Sequence, residues 1–207
     1  TKRVAEQVCL ALGGQNGTRF LAVRFGNVLG SRGSVIPFFQ DKIRRGDPIV
    51  VRGANMRRYF MATSEAVLLV LQAALMGRGG EIFVLDMGEP VRILDLAKEL
   101  IRLSGLQPDT DVPIVFGDPE PGEKEHEDLL SAEEGTAATR HDRIFMARDT
   151  SVAPGSDVLA QVARLQRLIG THDVDAVVGV FRHLVATYQP STFLVSPKPL
   201  SHSGSQE

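Results

Sequence analysis

The sequence is short of several things, and each shortage excludes a class of protein. A single cysteine, Cys9, rules out an intrachain disulfide framework and a cysteine-based zinc cluster. Neither sign of charge dominates. The 23 Lys and Arg stand against 25 Asp and Glu, for a formal net charge of −2, so the chain carries no electrostatic footprint for nucleic acid. No apolar run reaches the ~20 residues that span a bilayer. The longest, residues 66–76, is too short and contains Gln72. The N-terminus has no signal-peptide plan. There is no G-x-G-x-x-G and no G-x-S-x-G. His126, His141, His172 and His183 have no metal-ligand spacing with one another or with Cys9, so we assign no metal. We expect a soluble protein of a reducing compartment, the cytoplasm.

What is present is ordinary globular composition: 207 residues, 43% hydrophobic and 23% charged, at the upper end of one domain or the lower end of two. The chain opens inside an amphipathic pattern, with Val4, Val8, Leu10, Ala11 and Leu12 on one broad face and Gly13-Gly14 as the stop. An opening inside a helix, with no initiator Met and no strand before it, leads us to expect a truncated protein. Residues 19–25 read as a strand, 26–34 as a glycine-containing loop, and 36–45 as a helix ending at Gly46. Extended pieces follow at 48–51 and 57–62. Thr63 or Ser64 is the expected cap of a helix running to Met76 and stopped by Gly77. A strand at 81–86, a helix at 93–104, a strand at 112–116 and extended pieces at 127–130 and 143–147 come next. Residues 157–169 and 174–188 read as a helical hairpin, and the Ser/Pro-rich tail from 189 as disordered. Strands alternating with helices of ten or more residues make the class α/β.

Three segments carry candidate chemistry. The run 24–34 ends an apolar strand, and in open α/β sheets ligands bind at the carboxyl ends of strands. Asn27 offers both a donor and an acceptor there; a plain βα loop is the alternative. Arg57 and Arg58 stand beside an aromatic pair, and an arginine fork suits a phosphate or a carboxylate. On an extended segment the two point to opposite faces, so at most one serves a given pocket. The alternative is a surface strand with solvated arginines. Glu123, in Pro121-Gly122-Glu123-Lys124, can accept hydrogen bonds from sugar hydroxyls, or can be one exposed charge of a turn. Lys2, early in the first helix, reads on its own as a solvated side chain.

Five segments in order carry a resemblance: T-K-R-V-A-E at 1–6, R-F-G-N-V-L-G-S-R-G-S-V-I-P at 24–37, R-R-Y-F-M at 57–61, G-G-E-I-F-V-L-D-M-G-E-P-V at 79–91 and P-G-E-K at 121–124. Together they resemble the polysaccharide-biosynthesis branch of the extended short-chain dehydrogenase/reductases. That branch holds UDP-N-acetylglucosamine 4,6-dehydratases, nucleotide-sugar epimerases and capsular polysaccharide proteins. The likeness covers roughly residues 1–188.

The resemblance implies a fold: the C-terminal part of a Rossmann-type parallel sheet plus a smaller α/β substrate-binding lobe. It divides the chain into a Rossmann remnant at 1–34 and 77–110, a nucleotide-sugar lobe at 35–76 and 111–150, a helical hairpin at 151–188 and a tail at 189–207. Lys2 is similar to the lysine of the family's Tyr-x-x-x-Lys, a catalytic and NAD(P)-binding position. Phe25 and Val28 lie where the family's loop approaches the nicotinamide. Asn27 and Arg58 match contacts to the substrate diphosphate, and Glu123 an acidic residue near the nucleotide ribose. One departure stands out. The family's Arg-Pro-Gly-Glu reads Glu120-Pro121-Gly122-Glu123 here. A carboxylate at 120 repels a diphosphate if it faces it, unless Arg57 or Arg32 compensates.

The implied intact reaction uses NAD(P) to oxidise C4 of a UDP-sugar. Loss of water from C5–C6 or epimerisation follows, then return of the hydride. The glycine-rich loop and most of the catalytic motif are missing from the sequence, so the expectation is a substrate-binding half, inactive alone. The partners would be a UDP-sugar of the N-acetylglucosamine type and either further copies of the chain or a separate N-terminal half. Relatives are often anchored to the inner membrane by N-terminal helices. The competing readings are a non-catalytic nucleotide-sugar-binding module and a degenerate remnant.

Overall fold

The structure is a computed structural model that describes residues 1–13, 17–31, 33–120, 122–127, 129, 135–148 and 155–190. The chain divides into two compact units: 1–11 with 153–207, and 12–152.

The first unit is built from three helices: α1 (Lys2–Ala11), α5 (Gly155–Leu168) and α6 (Val174–Leu184). Val4, Val158, Val180 and Leu184 are buried in it. Gln7 is buried too, and its Nε2 donates to the Leu184 carbonyl at 2.8 Å. This joins α1 to the end of α6. Asp173 caps α6 by accepting from the Ala176 N–H at 2.9 Å. His183 Nε2 lies 2.8 Å from Asp157 Oδ2, and this hydrogen bond holds the Asp157 carboxyl below its usual range.

The second unit carries the sheets. In chain order it has β1 (Ala22–Arg24), β2 (Asn27–Val28), α2 (Val35–Arg45), β3 (Ile49–Arg52), β4 (Arg57–Arg58), β5 (Phe60–Met61) and α3 (Thr63–Met76). β6 (Ile82–Leu85), β7 (Val91–Arg92), α4 (Ile93–Leu103), β8 (Ile114–Gly117), β9 (Thr136–Ala138) and β10 (Ile144–Ala147) follow. The main sheet has the order β1-β6-β10-β9. β1 and β6 are parallel, with Val23 opposite Phe83, while β10 runs antiparallel to both β6 and β9. All four residues of β6 are buried, as a central strand of an α/β sheet requires. Met61, Ala66, Leu69, Ala73, Phe83, Leu85, Met87 and Ile144 form the cluster between α3 and this sheet. A second cluster joins α2, β3, α4 and β8 through Phe39, Ile43, Ile49, Val51, Ile93, Ala97, Ile101 and Val112. There β3 and β8 pair in parallel, Val51 opposite Phe116. The class is α/β with a sheet that contains parallel strands.

Several local expectations change. The apolar run at 19–25 yields only three strand residues, and Phe25 is exposed. The expected loop 26–34 contains β2. Neither Thr63 nor Ser64 caps α3: the cap position is Ala62, with no side-chain bond, and Thr63 Oγ1 instead donates to the Leu29 carbonyl at 3.1 Å. The helix at 36–45 does end at Gly46, which takes the left-handed conformation (φ 70°) and returns N–H bonds to the last turn. Strand β9 was not expected. In the extended piece at 127–130, Glu127 and Leu129 belong to no strand, while 128 and 130 lie outside the described residues, as do Gly14, Arg32, Pro121 and the tail beyond 190. No described helix is long and apolar enough to cross a membrane.

Candidate functional site

The carboxyl end of β1 turns directly into β2, and Gly26 makes that turn possible. A Cβ at this position would lie 2.7 Å from Tyr59 Cβ, 3.1 Å from Tyr59 O and 3.2 Å from Met87 Cε. Without one, the chain runs against the β4–β5 segment and forms a short parallel pair with it. The Asn27 N–H donates to Tyr59 O at 2.9 Å, and Asn27 stands opposite Phe60. Asn27 is therefore one strand away from Arg58 and two residues displaced from it. Phe25 and Val28 flank it on the same segment.

Arg58 is the centre of the arrangement. Strand alternation places Arg57 outward, where its Nη1 reaches only the Pro90 carbonyl at 3.4 Å, and turns Arg58 inward, its side chain 11% exposed. Arg58 Nη1 donates to the carbonyls of Arg57 (2.8 Å) and Glu125 (3.1 Å). Nη2 meets Glu123 Oε1 at 3.4 Å, and Nε faces Glu127 Oε1 at 3.5 Å. The loop that brings these groups is fixed at three points. The Glu123 N–H donates to Glu120 O at 2.8 Å, the Arg57 N–H to Glu125 O at 3.1 Å, and Arg24 Nη1 to Leu129 O at 3.2 Å. The other Glu123 oxygen, Oε2, accepts the Glu120 N–H at 3.1 Å.

The carboxylate at 120 is not aimed at Arg58. It forms an ion pair with Arg52 Nη1, on the last residue of β3. The arginine that pairs with this carboxylate is Arg52; Arg57 is not among its partners, and Arg32 lies outside the described residues. Three contributors to the site escaped sequence reasoning: Arg52, Glu127 and the Glu125 carbonyl. The acidic run 125–128 was the available signal, but which of its residues turns toward Arg58 depends on the path of the loop.

The structure therefore gathers Asn27, Arg58 and Glu123 in one region of the second unit, with Phe25 and Val28 beside Asn27. Lys2 is an exposed residue of α1, in the first unit. Among the described residues no group of three His, Cys, Asp or Glu side chains is placed to hold a metal. The sequence holds no glycine-rich phosphate loop; of the residues expected to approach a dinucleotide, Lys2 belongs to the first unit and Phe25 and Val28 to the second. What the arrangement can do chemically is hold an anion on a guanidinium, beside an amide and a carboxylate acceptor.

Comparison with known proteins agrees with the strand–loop pattern. Residues 1–149 match the profile of a family described as polysaccharide biosynthesis protein. The chain is 52% identical over 149 residues to the capsular polysaccharide biosynthesis protein CapD of Staphylococcus aureus, covering 72% of this chain and 25% of that protein. It is 35% identical over 137 residues to a UDP-glucose 4-epimerase of Rickettsia canadensis, covering 65% of this chain and 39% of the epimerase. Among solved structures, Pen from Bacillus thuringiensis matches with a TM-score of 0.61 at 32% identity, over 72% of this chain and 46% of that one. The chain spans a quarter to under half of the length of these three proteins.

Proposed function

The chain belongs to the polysaccharide biosynthesis protein family, and from that premise we propose that it supplies the nucleotide-sugar-binding half of a 4,6-dehydratase or 4-epimerase. Its substrate is a UDP-sugar of the N-acetylglucosamine type. The observation that carries this reading is Arg58. A largely buried guanidinium is anchored at Nη1 by two carbonyls and paired with Glu123, two residues before the Phe60 that Asn27 stands opposite. A diphosphate presents paired oxygens that such a planar fork matches. The Asn27 amide donates to the same diphosphate, and Glu123 accepts from ribose hydroxyls. The 35% identity to a UDP-glucose 4-epimerase supports the substrate class.

NAD(P) is the cofactor of the intact family reaction. The chain's own share is to bind and orient the sugar nucleotide, and alone it is inactive. Its partners in this reading are further copies of the chain or the missing N-terminal half, and it is that half, bearing the glycine-rich loop, that completes the site. We place the reaction in the cytoplasm. A lone cysteine suits a reducing compartment.

Calorimetric titration with UDP tests the reading. The chain should bind UDP. Arg58→Ala should weaken binding at least tenfold, about 1.4 kcal/mol. Arg58→Lys should recover only part, because an ammonium cannot fork. Equal affinity in all three proteins would refute the assignment. Turnover of UDP-N-acetylglucosamine by the chain alone would overturn the claim that it is inactive by itself.

A further inference from the structure

The two edges of the Arg58 guanidinium are held unequally. Nη1 has both of its hydrogens committed to backbone carbonyls, at 2.8 and 3.1 Å. These acceptors belong to the chain itself, at Arg57 and Glu125, and a ligand cannot displace them without unravelling the loop. The Nε/Nη2 edge is different. There Nη2 donates a long hydrogen bond to the Glu123 carboxylate at 3.4 Å, and Nε makes only an ion pair with the Glu127 carboxylate at 3.5 Å, without hydrogen-bond geometry. That edge is also the one that offers two parallel N–H groups to a bidentate anion.

The two carboxylates are not equivalent. Glu123 is held in its turn, because Oε2 accepts the Glu120 N–H. Glu127 lies two residues before Leu129, whose carbonyl is tied to Arg24, and its side chain is 37% exposed against 26% for Glu123. Of the two, Glu127 is the nearer to solvent, and among the described residues its carboxylate has no second bond to hold it in place.

We infer that the Nε/Nη2 edge of Arg58 is the anion-binding edge and that Glu127 competes for it. Glu127 is then an affinity-setting residue: an internal carboxylate that a diphosphate must displace. The inference rests on the nucleotide-sugar reading of Arg58 and adds to it the edge used and the group that opposes binding. Displacement removes a weak, solvent-screened ion pair, so the competition should be modest in size.

The experiment is a titration of the full chain with inorganic pyrophosphate and with UDP, in wild type, Glu127→Gln and Asp118→Asn. Asp118 is exposed at the start of the same loop, just after β8, so Asp118→Asn removes the same charge from that loop at a residue outside the site. The expected result is binding about threefold tighter in Glu127→Gln for both ligands, no change in Asp118→Asn, and convergence of all three proteins at high salt. Unchanged or weaker binding in Glu127→Gln overturns the inference and makes Glu127 a positioning residue for Arg58. Equal tightening in both variants also overturns it, since the loop's net charge then explains the effect. In either of those cases the nucleotide-sugar reading survives. If no folded protein of the three binds UDP or pyrophosphate, that reading falls, and the inference with it.

Discussion

Gly26 shows how much a single residue decides. Its missing Cβ lets β2 lie against Tyr59, and so lets Asn27 pair opposite Phe60, two residues from Arg58. Gly26→Ala should destabilise the second unit by about 1–3 kcal/mol, because the nearest obstacles are a Cβ and a backbone carbonyl that cannot rotate away. Urea denaturation of wild type and variant measures this, and a change under about 0.3 kcal/mol would show that the segment shifts freely. At this scale the sequence was partly legible. Alternation along an extended segment correctly separates Arg57 from Arg58, since it needs only the geometry of a strand. The partners of Glu120 and Arg58 were not legible. Arg52 and Glu127 lie 68 and 69 positions away in sequence from the groups they meet, and nothing local encodes such pairings.

At the scale of elements, the glycine stops were the easiest to read and the caps the hardest. Gly46 ends α2 because its left-handed backbone costs a glycine nothing. The cap of α3 was misread because Thr63 spends its hydroxyl on the Leu29 carbonyl, a tertiary bond that outcompetes the local one. The run at 19–25 looked longer than β1 because hydrophobicity does not separate a paired residue from an exposed Phe25. β9 was missed because in Thr-Ala-Ala the one strand-favouring Thr is outnumbered by two alanines, which strands disfavour. The entry to β6 has its own device. Glu81 Oε1 and Oε2 accept the N–H groups of Arg78 and Gly79, each at 2.7 Å. Partial burial pushes the Glu81 carboxyl up, but these N–H groups and the Arg78 charge outweigh it and hold it below its usual range. A depressed carboxyl stabilises the fold above its unfolded value, near 4.5, and that contribution disappears as pH falls through the folded value. Glu81→Gln should therefore cost about 1 kcal/mol at pH 7 and nothing at pH 2. Chemical denaturation across that range decides it; a cost that persists at pH 2 would point to packing instead.

For the whole molecule, composition and alternation were enough for the class, and the ordered segments were enough for the family. The partnerships were not readable. No pattern in the sequence announces that β10 inserts antiparallel beside β6, or that α4 shares its core with α2. Each is set by which surfaces meet after collapse. The first unit shows this most plainly. Gln7→Ala should lower the hydrogen-exchange protection of the α1 and α6 amides by about 1–2 kcal/mol, since it leaves the Leu184 carbonyl without its donor. Unaltered protection there would show that the bond contributes nothing. That same bond joins residues 177 positions apart. On the ribosome, at ~5–20 residues per second, α1 leaves the exit tunnel on the order of ten seconds before Leu184 is made. Throughout that interval α1 lacks its α6 partner. It is made first of the three helices of its unit and waits for the last of them, so during synthesis it is the helix of that unit on which a chaperone has the longest opportunity to act.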